Sequence, residues 1–269
     1  MNTTSSHRAL ILDFILFVLS GLIIWAANII GQSTFPGNKL FPFFVRSVIL
    51  IGTLAISYYL NYKFTRRNAL IGDILKFRLR FIKQYLSGGI LACLLIATIW
   101  AIVYLIYPFE IIKNVSSTNR LPNDIISYSL GNTLEELLFR GFLMIASIRL
   151  FGKMSGVFFI SLLFGLFHLQ GTGLTREGMS MVMTTFTMSL LFISVICYTK
   201  SIWPAVIVHI TGNLLLHTLG FDGANGGMFQ IKFATSNING HFISFIFEIV
   251  VITFALLIFL MTKRNINRC

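Results

Sequence analysis

The feature that most narrowly limits the fold of this chain is a series of apolar runs, several of them about 20 residues long. A run of that length crosses the hydrocarbon core of a bilayer as a helix, so these runs predict membrane-spanning helices. Charged residues make up 11% of the chain, against about 25% in a typical soluble domain. The sequence therefore predicts an all-α fold, a polytopic membrane helical bundle, rather than a soluble protein.

Eight spans are predicted, within a single membrane domain over residues 1–269. The predicted spans cover approximately Ala9–Ile30, Phe41–Tyr62, Leu86–Tyr107, Ile125–Leu150, Val157–Gln170, Gly178–Tyr198, Ser201–Leu219 and His241–Met261. The first run is long for the apolar region of a signal peptide and no convincing cleavage site follows it, so we expect a retained helix. The stretches between the later runs, including Gly220–Gly240, are predicted to be loops.

The stretch Lys63–Lys83, between the second and third spans, is strongly basic. Leu70, Ile74, Phe77 and Phe81 recur in it at helical spacing, which predicts an amphipathic helix on an anionic cytoplasmic leaflet. An ordinary cytoplasmic loop fits the same composition. Eight spans put both termini on one side, and placing that side in the cytoplasm leaves most basic residues inside. The net charge of +12 therefore indicates orientation in the membrane, and no nucleic-acid partner is expected.

The fourth predicted span contains three charged residues in apolar sequence, namely Glu135, Glu136 and Arg140. A charge within a span costs roughly 2.5–3.5 kcal/mol on insertion scales and by default marks a functional site. Glu136 and Arg140 are four residues apart on one helix face, in the order that favours an ion pair. Glu135 points about 100° away and is expected to face an aqueous cavity, where a carboxylate can take a proton from water. A structural Glu–Arg pair that joins helices fits this stretch equally well.

Two later spans carry further polar side chains. His168 lies late in the fifth span, while His209 and Asn213 are four residues apart in the seventh and share a helix face. Two donors aimed at one spot suit an oxyanion, whereas His168 and His209 with a carboxylate could bind zinc. Taken singly, a packing histidine or an interhelical hydrogen bond explains each residue. Together they supply the base, polariser and oxyanion donors that peptide hydrolysis needs.

The sequences EELLFR, FGLFH and HITGN resemble the EExxxR, FxxxH and HxxxN signatures of the CPBP family of intramembrane proteases. This family includes the CaaX prenyl endopeptidases and the bacterial Abi or bacteriocin-immunity-type proteins. The resemblance covers roughly residues 125–219, the motif-bearing core, and no motif residue departs from the pattern.

The resemblance implies a role for each motif residue. Glu135 and His168 would activate water, His209 and Asn213 would form the oxyanion site, and Glu136 and Arg140 would support them. The cofactor stays open, because a zinc ion bound by His168, His209 and Glu135 and a metal-free glutamate mechanism both fit. The metal-free mechanism is slightly favoured for the step that activates water.

The expected activity is that of an intramembrane endopeptidase acting on a membrane-associated peptide or protein. The resemblance to small bacterial members implies a bacterial cell membrane, with both termini cytoplasmic and the lipid bilayer and the substrate as partners. Its biological role would be peptide maturation, bacteriocin self-immunity or signalling. The alternative is a non-catalytic immunity or regulatory protein of the same fold that acts by binding. A transporter with a proton-relay carboxylate is a third reading, weakened because the chain lacks paired repeats with broken spans.

Overall fold

A computed structural model describes residues 82–114, 121–169, 173–221, 227–236 and 238–262, with isolated positions before residue 82. Apart from those positions, the predicted first two spans lie outside the described residues, as do the amphipathic segment up to Phe81 and the chain after Thr262. The chain divides into two compact units. Unit 1 comprises Met1–Lys76 and Leu134–Ile160, and unit 2 comprises Phe77–Thr133 and Ser161–Cys269.

Helices account for most of the described residues, as predicted. In chain order they are α1 (Ile82–Ile106), α2 (Leu121–Glu136), the π-helix (Leu137–Leu143), α3 (Met144–Phe151), α4 (Lys153–Phe167), α5 (Arg176–Thr199), α6 (Trp203–Thr218) and α7 (Gly240–Thr262). By length and composition α1, α5 and α7 are long and apolar enough to cross a membrane. They agree closely with the predicted third, sixth and eighth spans and confirm an integral membrane protein.

The fourth predicted span is not one regular helix. Its residues form α2, the π-helix and α3 in succession, because the backbone hydrogen bonds of the middle segment span five residues instead of four. The N–H of Met144 donates to the carbonyl oxygen of Phe139, five residues earlier, instead of four. The residues of the predicted fourth span are thus helical throughout, and the π-helical segment in their middle is a feature that the sequence did not predict.

The fifth and seventh predicted spans correspond to α4, with 15 residues, and α6, with 16 residues. Pro204 lies in the first turn of α6, where its missing N–H costs no helical hydrogen bond. Within the described ranges only α1, α5 and α7 reach the length of a full span. The total of eight spans stays a prediction.

Unit 2 also contains a two-stranded antiparallel sheet, formed by β1 (Phe109–Lys113) and β2 (Phe229–Phe233). In its register Phe109 pairs with Phe233 and Lys113 with Phe229. Both strands lie where loops were predicted. The all-α class is therefore corrected by a small sheet, and the predicted loop over Gly220–Gly240 contains a strand. Apolar residues alternate with polar ones in β2, which suits a strand, but five residues are stable as a strand only when a distant partner pairs with them.

Small residues allow close packing of the helices of unit 2. A Cβ added at Gly88 on α1 would lie 2.5 Å from the carbonyl oxygen of Pro204 on α6, so the two backbones almost touch. A Cβ at Gly165 would lie 2.7 Å from the carbonyl oxygen of Val182, which brings α4 equally close to α5. Helix α7 packs against α5 and α1. These contacts arrange α1, α5, α6 and α7 as the walls of the cavity described below.

Candidate active site

Unit 1 contains the charged residues of the first motif. Glu136 Oε1 lies 3.2 Å from Arg140 Nη1, and neither side chain is exposed. The predicted ion pair is thus confirmed. Glu136 is the last residue of α2 and Arg140 lies in the π-helix, so the ion pair connects the α-helical and the π-helical segments. A buried charge is costly unless a partner and hydrogen bonds compensate it, and here each residue is the partner of the other.

Glu135 lies beside this pair and is also buried, with 9% of its surface exposed. Its charge interacts with that of Arg140, as does the charge of Glu136. Leu134, Leu138 and Phe139, which flank the charged residues, are buried as well. The first motif therefore places two carboxylates and one guanidinium in apolar surroundings. The expectation that Glu135 faces an aqueous cavity stays a prediction.

Unit 2 encloses a cavity of about 710 Å³. His168 of the second motif and His209 and Asn213 of the third motif all line it. Most of the remaining wall is apolar and comes from α1, α5, α6 and α7, as with Ile96, Trp100, Met188, Phe192, Leu216 and Phe247. Two of the three motifs thus meet in one space although 41 residues separate His168 from His209. Its volume lies within the range of about 300–1,000 Å³ that is usual for ligand pockets, and its polar groups lie at few positions, as binding sites commonly have them.

The hydrogen bond of His168 indicates which ring nitrogen carries the proton. Nδ1 lies 2.8 Å from the carbonyl oxygen of Phe164, one turn earlier. A carbonyl oxygen only accepts, so Nδ1 is the donor and in the neutral ring Nε2 is the basic nitrogen. The ring also packs edge-on against Phe164, with 4.6 Å between the centroids. His168 follows the last residue of α4, and the bond to Phe164 orients its ring.

His209 is held between aromatic rings. It stacks on Phe192 of α5 with 4.8 Å between centroids and an interplanar angle of 29°. Phe164 meets it edge-on at 6.1 Å. Only 5% of His209 is exposed, so the rings restrict the side chain to one direction. A preorganised donor of this kind is what an oxyanion site requires.

A buried asparagine that the sequence did not single out, Asn132 of α2, contacts the third motif at two points. Its Nδ2 donates to the carbonyl oxygen of His209 at 3.2 Å. Its Oδ1 accepts from Nδ2 of Asn213 at 3.3 Å. The one signal in the sequence is a polar amide three residues before Glu135, which by itself fits an ordinary helix-facing residue.

Other polar contacts continue along the same two helices. Asp124 Oδ2 of α2 lies 3.5 Å from His217 Nε2 of α6, and Tyr128 packs against the His217 ring at 5.5 Å. Tyr128 lines the cavity, as do Glu177 and His241. The sequence indicated no role for any of these three residues. The interface between α2 and α6 is therefore polar over several turns.

A zinc site built from these motifs would need three ligating side chains close together. No group of three His, Cys, Asp or Glu side chains within the described ranges could hold a metal ion. His168 and His209 belong to unit 2, whereas Glu135 belongs to unit 1. The zinc set and the metal-free mechanism both stay predictions.

Residues 117–215 match the model of a family described as type II CAAX prenyl endopeptidase Rce1-like. This segment contains all three motifs, from Glu135 to Asn213, and extends over most of the predicted core. The match confirms the resemblance to the CPBP intramembrane proteases. No curated protein matches the chain.

Proposed function

From the match to the type II CAAX prenyl endopeptidase family, we propose that this chain is an intramembrane endopeptidase. It hydrolyses a peptide bond in a membrane-associated peptide or protein. The observation that supports this most is the cavity of unit 2, in which His168, His209 and Asn213 line one space. A protease needs a base and oxyanion donors around one reacting carbonyl, and these side chains have the chemistry for both.

His168 is the residue of unit 2 suited to proton transfer. Its Nδ1–H is engaged with the carbonyl oxygen of Phe164, so Nε2 is the nitrogen that accepts or returns a proton. An imidazole changes its charge near neutral pH, which suits general acid–base catalysis. We assign His168 to this role together with Glu135.

His209 and Asn213 are assigned to the oxyanion. Their side chains project from one face of α6, one turn apart, and both line the cavity. The Asn213 amide and the imidazole of His209 can each donate a hydrogen bond to a developing negative charge. Removing one such donor typically lowers kcat by about 10²–10³.

The proposed reaction needs only water and the peptide. Glu135 takes a proton from water, and the water oxygen bonds to the carbonyl carbon as the carbonyl oxygen becomes an oxyanion. The tetrahedral intermediate then collapses with cleavage of the C–N bond, and the proton passes to the leaving amine through Glu135 or His168. Glu136 and Arg140 hold the helix that carries Glu135. These steps follow the metal-free mechanism, in which Glu135 and His168 move the protons.

The apolar wall indicates the kind of segment that binds. Side chains such as Ile96, Met188 and Phe247 favour an apolar peptide, and burying each apolar residue contributes roughly 1.5–3 kcal/mol. Such a segment is available from a substrate within the bilayer or at its surface. We place the protein in a bacterial cell membrane with both termini cytoplasmic, where it matures peptides, protects against a bacteriocin or takes part in signalling.

The test compares cells that carry the wild type, Glu135→Gln or Glu110→Gln. Glu110 is an exposed acid on β1 and is the matched control. Mass spectrometry of membrane peptides with labelled termini should find new termini with the wild type and with Glu110→Gln, and none with Glu135→Gln. The purified wild type in lipid nanodiscs should cut a synthetic peptide that spans such a site.

Equal cleavage by Glu135→Gln and the wild type would overturn the assignment. A second outcome is that no variant produces new termini while Glu135→Gln cells keep the protective or regulatory effect of the wild type. That outcome would identify a protein that acts by binding alone.

A further inference from the structure

We infer that Asn132 is a positioning residue that orients the Asn213 amide toward the reacting carbonyl. This inference rests on the proposed function in one respect, the role of Asn213 as an oxyanion donor. Asn132 does not line the cavity, whereas Asn213 does, so the effect of Asn132 passes through Asn213.

The burial of Asn132 is the first observation. The residue lies inside α2 with 5% of its surface exposed. Asparagine is a poor helix former, and burying an amide without hydrogen bonds costs about 1–3 kcal/mol. A leucine at this position would avoid both costs. The amide is compensated by the two bonds it makes across the interface, and both reach the turn of α6 that carries His209 and Asn213.

The direction of these bonds determines the orientation of both amides. The main-chain oxygen of His209 can only accept, so Nδ2 of Asn132 must face it at 3.2 Å. Oδ1 of Asn132 then faces Asn213, which has to present Nδ2 rather than Oδ1 at 3.3 Å. An asparagine amide has two orientations of similar shape, and this network selects one of them.

The selected orientation is the one that catalysis requires. Nδ2 of Asn213 carries two hydrogens, and one of them is engaged with Asn132. The second lies in the same plane, about 120° away by the geometry of a primary amide, on a side chain that lines the cavity. With the amide turned over, an oxygen would replace this donor and repel the oxyanion.

The contact to the His209 carbonyl adds a second restraint. In an α-helix the same carbonyl accepts from the main-chain N–H of Asn213, four residues later. Asn132 therefore bonds to the carbonyl that closes the His209–Asn213 turn and to the side chain at its end. A single residue restrains the backbone and the side chain of one donor, so its loss should affect orientation more than binding.

The kinetic test uses a peptide that the wild type cuts and Glu135→Gln does not. Asn132→Leu keeps the size of the side chain and removes both hydrogen bonds. We expect kcat to fall by about 10- to 100-fold, less than after complete removal of an oxyanion donor, with KM changed by less than about twofold. Asn132→Asp still accepts from Asn213, so its kcat should lie above that of Asn132→Leu.

A double-mutant cycle separates positioning from general damage to the fold. In an Asn213→Ala background, Asn132→Leu should lower kcat by less than about twofold, because the residue through which it acts is already gone. Additive losses would overturn the inference. Asn114→Leu is the matched control, since Asn114 is another buried asparagine of unit 2 whose Nδ2 donates to the carbonyl oxygen of Gly227, at 3.0 Å. It should leave kcat unchanged.

A spectroscopic test is independent of cleavage. In protein labelled with ¹⁵N-asparagine, the side-chain amide signals of Asn213 should shift in Asn132→Leu and stay in place in Asn114→Leu. Unchanged Asn213 signals would overturn the inference whether or not the protein is a protease. Shifted signals in a protein without Glu135-dependent cleavage would support the orienting contact and overturn only the proposed function.

Discussion

Glu136 and Arg140 form an ion pair of 3.2 Å with both side chains completely shielded from solvent. Removing one partner of a buried pair leaves an uncompensated charge, at a cost of about 3–5 kcal/mol, whereas replacing both with apolar residues is often neutral. Substitutions in this ion pair should therefore change the free energy of unfolding measurably.

Arg140→Leu should lower the free energy of unfolding by about 3–5 kcal/mol. The double variant Glu136→Leu with Arg140→Leu should be more stable than Arg140→Leu alone, because it leaves no buried charge. Denaturant unfolding of the purified protein in detergent measures both. Arg176→Leu, which removes an exposed arginine at the start of α5, should change stability little. An Arg140→Leu protein as stable as this control would contradict the supporting role.

His168→Asn separates the structural and chemical roles of the imidazole. The asparagine amide nitrogen lies close to the position of Nδ1, so the bond to the Phe164 carbonyl can persist, but the nitrogen equivalent to Nε2 is absent. We expect near-normal thermal stability and a loss of about 10²–10⁴ in cleavage rate, the usual range for general acid–base catalysis. Fluorescence-monitored melting and cleavage of a quenched peptide test this. Full activity in this variant would rule out Nε2 as the base.

Gly212 offers a way to fill the cavity without disturbing its walls. It lies on α6 beside Asn213 and lines the cavity, and a Cβ added there would meet no atom within 4 Å. Gly212→Ala should increase stability by about 0.5–1 kcal/mol, since alanine favours a helix over glycine. Gly212→Leu should fold but raise KM by about tenfold, equivalent to roughly 1.4 kcal/mol of lost substrate binding.

The matched control for this substitution is Gly131→Leu. Gly131 on α2 also has open space around an added Cβ, but it does not line the cavity. Its KM should equal that of the wild type. Equal KM values for both leucine variants would show that substrate does not occupy the cavity.

Metal removal tests the mechanism directly. Because the proposed mechanism moves protons with Glu135 and His168 and uses no metal ion, we expect cleavage to survive dialysis against EDTA. Elemental analysis of the purified protein should find less than about one zinc per ten chains, too little for a structural or catalytic site. If EDTA abolishes cleavage and one equivalent of zinc per chain restores it, the metal-free glutamate mechanism is wrong and the enzyme depends on a metal ion.

Local sequence patterns predicted a large part of this protein. The apolar runs predicted α1, α5 and α7 to within a few residues, because the length needed to cross a bilayer is a property of the run itself. The spacing of Glu136 and Arg140 predicted their ion pair, since residues four apart are neighbours on any helix. Residue type and spacing alone indicated His168, His209 and Asn213 as candidates, because imidazole and amide groups are uncommon in apolar spans.

Tertiary structure decided the remainder, since it depends on contacts between residues far apart in sequence. The sheet forms because β1 meets β2 more than 100 residues later, and neither five-residue strand is stable alone. In the π-helix the backbone hydrogen bonds span five residues instead of four, and no periodic pattern in the sequence indicates this change. Asn132 took on its significance only when α2 packed against α6 and brought its amide to the His209–Asn213 turn. The sequence by itself thus determined which side chains are candidates for the chemistry, and the packing of the helices brought the Asn132 amide to the turn that carries two of them.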